Sequence, residues 1–143
     1  MELGSPFMTQ PSDPPQPLVE YRLLDNGIHV FVVHDETTAA ADMLITMLEG
    51  EVNAAPSNQI FRYIVDLQNA VNLPMAYTVR RTREKMANNR ARPVTRGAHM
   101  QGETALGTIA QVMLSMLVQF SKDEVRFFHM DEYEAAVAWV LEK

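Results

Sequence analysis

From residue 18 onward, runs with strand periodicity alternate with segments of helical periodicity, and this alternation limits the chain to a few architectures. Val19, Tyr21 and Leu23 alternate with polar or smaller neighbours, as in a half-buried strand. Asp25-Asn26-Gly27 follows, and Asn and Gly tolerate the positive φ that tight turns need. Ile28 to Val33 is then a β-branched and aromatic run, so the first two segments read as a hairpin. Thr37 or Thr38 can cap a helix on which Ala41, Leu44, Ile45, Leu48 and Val52 recur at helical spacing, and Pro56 stops it. Phe61 to Val65 is the strongest buried-strand candidate. Pro74 suits the first position of a second helix, which Asn88-Asn89 ends. Pro93 to Met100 reads as a weak strand. A third helix is expected from Glu103 or Thr104 to Phe120, with Leu106, Ile109, Met113, Leu114, Leu117 and Phe120 on its apolar face. Val125 to His129 is a strand, and Asp131 with Glu134 has capping-box spacing for a last helix burying Ala136, Val137, Val140 and Leu141.

The order is thus β-β-α-β-α-β-α-β-α. After the hairpin, strict alternation implies an α/β domain with a mixed sheet. The core is parallel with right-handed crossovers, the N-terminal hairpin adds an antiparallel edge, and about four helices cover it. With 143 residues, 47% of them hydrophobic, the chain suffices for one domain with its own core. Residues 1–17 carry five of the eight prolines and read as a disordered leader, and Gly4-Ser5-Pro6-Phe7 ahead of Met8 has the texture of a cloning scar. The domain itself is placed at 18–143. No basic, then apolar, secretory leader is legible, and no stretch reaches about 18 uninterrupted apolar residues, so a cytoplasmic chain without membrane insertion is expected.

Charge is distributed unevenly. Residues 80–96 contain Arg80, Arg81, Arg83, Lys85, Arg90, Arg92 and Arg96 against Glu84 alone, a net of +6 in a chain whose total is −6. Such a cluster can meet an acidic partner, a phosphate or an anionic lipid surface, whereas its bland reading is a solvated face that balances the protein's own acids. No aromatic side chain interleaves the arginines after Tyr77, and the whole chain is acidic, so nucleic acid is not the expected partner. There are no cysteines, which excludes disulfides, thiol catalysis and cysteine-ligated metals and suits a reducing compartment.

The four histidines are His29, His34, His99 and His129. The last three fall near strand C-terminal ends, where open α/β sheets bind ligands, yet none has metal-ligand spacing to another, and no metal or cofactor is expected. Asp66, at the end of a buried strand, lacks a nucleophile nearby and is read as capping the next turn. Gly97, Gly102 and Gly107 form neither a dinucleotide fingerprint nor a phosphate loop. Met43, Met47, Met113 and Met116 lie on helices and are read chiefly as core. No residue set supports an enzyme.

Two stretches carry a family resemblance. One is Ile64-Val65-Asp66-Leu67, an apolar strand ending in Asp-Leu before a helix. The other runs from Val125 through Arg126-Phe127-Phe128-His129-Met130-Asp131-Glu132-Tyr133 to Trp139-Val140, an aromatic strand entering an acidic cap and an Ala-rich helix. With the element order, they resemble the STAS domain of SpoIIAA-like proteins over residues 18–143. The resemblance implies a non-enzymatic regulatory module; the leading expectation is that it binds another protein, with a homodimer as a further option. In that family a serine or threonine in an Asp-Ser-Ser-Gly-like motif is phosphorylated. Here Gln68-Asn69-Ala70-Val71-Asn72-Leu73-Pro74 stands in its place, and Thr78, inside the helix, is the nearest hydroxyl and the only candidate. The expected contact surface is Arg80, Arg81, Arg83, Lys85, Arg90 and Arg92. The alternative is a small-molecule or lipid carrier with a Sec14-like apolar pocket lined by Leu106, Ile109, Met113, Val137 and Val140.

Overall fold

The structure is a computed structural model, and it describes residues 16–86, 91–101 and 123–143. Five strands form one sheet in the order of the chain: β1 (Val19–Leu23), β2 (His29–Val33), β3 (Phe61–Asp66), β4 (Thr95–Gln101) and β5 (Glu124–His129). β1 pairs antiparallel with β2, and every later pairing is parallel. The expected hairpin and parallel core are therefore present. Gly27, at φ 87°, makes the turn between β1 and β2 possible, and the Asn26 side chain accepts from the Ile28 N–H (3.1 Å).

Two helices cross from strand to strand on one face of the sheet. α1 (Thr38–Ala54) starts at Thr37, whose hydroxyl oxygen accepts from the Ala40 N–H at 3.2 Å. It buries Ala40, Ala41, Leu44, Ile45, Leu48 and Val52, the stripe read from its periodicity. α2 (Met75–Met86) begins as expected after Pro74, whose carbonyl accepts from the Thr78 N–H (2.9 Å). α1 packs on Phe31, Val33, Phe61, Tyr63 and Val65, the residues that alternation sends to that face. The opposite face, with Ile28, Val30, Ile64, Ala98 and Met100, is covered by α3 (Tyr133–Val140) through Ala136, Trp139 and Val140.

Three helices are thus present among the described residues, against about four expected, and the helix expected from 103 or 104 to 120 lies outside them. So do the leader up to residue 15 and Arg90. Two local expectations need correction. The turn into α3 is closed by Glu132, whose carboxylate accepts from the His129 N–H at 2.9 Å, rather than by Asp131 with Glu134. A short 3-10 turn, Met130–Glu132, takes up the intervening residues. In α3 itself Trp139 is buried and Leu141 is exposed, because the helical period turns position 141 away from the face formed by Ala136, Trp139 and Val140.

Candidate functional site

α1 and α2 run side by side in the same direction, as two crossover helices of parallel strands must. Their seam carries charge. The Tyr77 hydroxyl donates to the Asp42 carboxylate, with both carboxylate oxygens in reach of its one proton (2.7 and 2.8 Å), and Asp42 lies 3.5 Å from the Arg81 guanidinium. Arg81 also holds Glu84, one turn on, at 2.8 Å. Lys85 lies 3.7 Å from Glu49. The hydrogen bond to Asp42 raises the pKa of the Tyr77 phenol, with a smaller contribution from burial, and the bond to Glu84 raises that of Arg81. Arg80 lies 5.4 Å from the centre of the Tyr77 ring. Arg80 and Arg83 face solvent three residues apart on the outer side of α2.

The rest of the basic cluster goes elsewhere. Arg92 meets Asp123 in a two-pronged pair of 2.9 and 2.6 Å at the start of β4 and β5, with both side chains largely buried. The Thr95 N–H adds a third bond to Asp123 at 3.0 Å. Burial alone would raise the Asp123 pKa, but the Arg92 and Thr95 bonds prevail and lower it. Arg96 pairs with Glu124 at 2.7 Å and donates to the Glu142 carbonyl, also at 2.7 Å. Beside it, Arg62 donates to the carbonyls of Val140 and Glu142. Arg96 and Arg126 both lie over the Trp139 ring, at 5.4 and 4.9 Å from its centre. The six residues taken together as a contact surface are therefore divided. Arg80, Arg81, Arg83 and Lys85 share α2, Arg92 is taken into the body of the domain, and Arg90 lies outside the described residues.

Thr78 is buried, and its hydroxyl donates to the Pro74 carbonyl at 2.7 Å, so a kinase would reach it only by opening the first turn of α2. Asp66 accepts from the Gln68 N–H at 2.9 Å, the turn-capping role read from the sequence. The histidines do not converge, because the sheet order keeps His34 and His129 at opposite sides. Among the described residues no group of three metal-ligating side chains forms. His34 bonds Glu20 at 2.5 Å, and His29 bonds the Tyr21 hydroxyl at 2.8 Å while stacking on Phe61. His99 sits between Tyr63 and Phe127 with both ring nitrogens buried and, among the described residues, without a hydrogen-bond partner, and burial lowers its pKa to about 4. Of the residues placed around a carrier pocket, Val140 is fully buried in the core and Val137 packs against it. Leu106, Ile109 and Met113 lie outside the described residues. Met43 is exposed and Met47 half-buried against the core. No described helix is long and apolar enough to cross a membrane.

Sequence reading missed Asp42, Glu49, Asp123 and Glu124, the carboxylates that neutralise the cluster. A signal existed for the first two: they are seven residues apart on one flank of α1, matched by Arg81 and Lys85 four apart on α2. No known family model, curated protein or solved structure matches the chain.

Proposed function

We propose that this chain is a cytoplasmic, non-enzymatic regulatory module of the STAS type, which binds another protein through the outer face of α2. The described strands and helices follow the order on which the resemblance rests, except for the helix expected between β4 and β5, which lies outside the described residues. One observation supports the surface. Arg81, Lys85, Arg92 and Arg96 have intramolecular carboxylates, whereas Arg80 and Arg83 point outward, with Arg80 braced on Tyr77. An arginine held over a tyrosine loses little rotamer freedom on binding, and both residue types recur where interface energy is concentrated. The partner is a protein with an acidic patch, attracted at low salt and fixed by forked bonds to the two guanidiniums.

The test compares partners recovered by the wild type and by an R80E/R83E variant, with exposed Thr46→Ala on α1 as control. The wild type and T46A should retain a partner that R80E/R83E loses, and rising salt should weaken its capture. Equal recovery by all three baits would eliminate the surface.

A further inference from the structure

Among the described residues, β1 stands at the end of the sheet with only β2 beside it. The main chains of Leu18 and Leu24 bond to β2 and its turn, through His34 N–H to Leu18 (2.8 Å) and Leu24 N–H to Ile28 (2.9 Å). Bonded residues alternate in an antiparallel ladder, so Glu20 and Arg22 share that direction, and Val19, Tyr21 and Leu23 turn their N–H and C=O groups to the outer edge. The strand reads Val-Glu-Tyr-Arg-Leu. Laid antiparallel on a copy of itself about a twofold axis at Tyr21, it brings tyrosine to tyrosine, Val19 to Leu23 of the second copy, and Glu20 to Arg22 of the second copy. Both charge pairs fall at the non-hydrogen-bonded positions, where side chains approach most closely.

The charge pairs in this register are favourable, and those in the two neighbouring registers are not. Centring on Glu20 opposes two carboxylates, and centring on Arg22 opposes two guanidiniums. Edge strands usually carry charge that discourages such pairing, but here one acid and one base are placed symmetrically, so the charges select one register. Leu23, 59% exposed and the most exposed large apolar side chain among the described residues, would lie opposite Val19 of the second copy, whose own side chain is buried in the core of its domain.

We propose that the chain dimerises through β1, joining two five-stranded sheets into one continuous sheet. This interface uses none of the residues assigned to the α2 surface, so either reading can fail alone. Sedimentation of the full chain should show a species of twice 16.2 kDa. E20R and R22E should each raise the dimer dissociation constant at least about tenfold, because two like-charge pairs replace two opposite ones. An equimolar mixture of the two variants should recover wild-type association, since one strand then presents two bases and the other two acids. Because Glu20 also bonds His34, folding of E20R is checked by circular dichroism, and hydrogen exchange on the wild type gives an independent readout. The amides of Val19, Tyr21 and Leu23 should slow as concentration rises, while those of Glu20 and Arg22 stay constant. A wild type monomeric at its highest soluble concentration overturns the proposal. So does a dimer indifferent to both variants, a folded mixture that does not associate, or edge amides insensitive to concentration.

Discussion

A single missing side chain sets how β3 and β4 meet. Tyr63 and Gly97 are register partners, and a Cβ built on Gly97 would lie 2.0 Å from the Tyr63 Cζ. The ring therefore lies across the glycine, where any side chain would drive it out of a packed layer that includes Phe61 and His99. Overpacking of this kind costs about 1–3 kcal/mol or more. Gly97→Ala should lower stability by at least about 2 kcal/mol in denaturant unfolding, and a Tyr63→Ala partner should cancel part of the loss in a double-mutant cycle. Gly50, exposed within α1, meets nothing within 4 Å, so Gly50→Ala should instead stabilise by up to about 1 kcal/mol. The sequence read Gly97 only as part of an absent nucleotide motif. Its role depends on which residue stands opposite, and that is set by register across 34 positions.

At the scale of elements, α3 is short, at eight residues, and owes its place to contacts rather than propensity. Its apolar side meets Ile64, Ala98 and Met100, while its C-terminal end, the negative pole of its dipole, is held by Arg62 and Arg96 from neighbouring strands. Replacing both arginines by alanine removes charge-assisted bonds to carbonyls that no later turn satisfies. The double variant should lower the local opening free energy of the α3 amides by about 2 kcal/mol in hydrogen exchange, with the β2 and β3 amides nearly unchanged. Uniform loss of protection through the sheet would mean that α3 and the sheet open only together. The existence and start of α1, α2 and each strand were legible, because the stripe or alternation that a core demands is written within each segment. The closure of α3 was not, because Glu132 and Asp131 offer equally good local spacing and the end of β5 decides between them.

For the whole molecule, His99 makes stability depend on pH. Its folded pKa lies at about 4, below the ordinary 6.5, because burial disfavours the charged ring. Above pH 6.5 neither folded nor unfolded chains bind the proton, and His99 contributes nothing. As pH falls from 6.5 towards 4 the unfolded chain takes up a proton that the folded chain refuses, so stability falls, by at most about 1.4 kcal/mol per pH unit. His29, also lowered by burial, adds a change of the same sign. Denaturation midpoints measured from pH 7.5 to 5 should decline in the wild type and decline less in His99→Leu. Identical slopes would show that His99 is protonated in the fold. Acidic pairs such as Arg92–Asp123 lose their contribution only at lower pH, since the Asp123 pKa is itself lowered.

By itself the sequence determined the α/β class, the hairpin, the alternation that follows and most of the buried stripe, since periodicities of two and 3.6 residues are local and record which side of each element avoids water. Tertiary structure decided the fate of the charges. Read along the chain, seven basic residues form one patch. In space, Asp123 and Glu124, some 30 positions from Arg92 and Arg96, and Asp42 and Glu49 on α1 draw most of them inward and leave Arg80 and Arg83 facing out. Charge pairing acts over a few ångströms between residues distant in the chain, so it becomes visible only when the strands have chosen their neighbours.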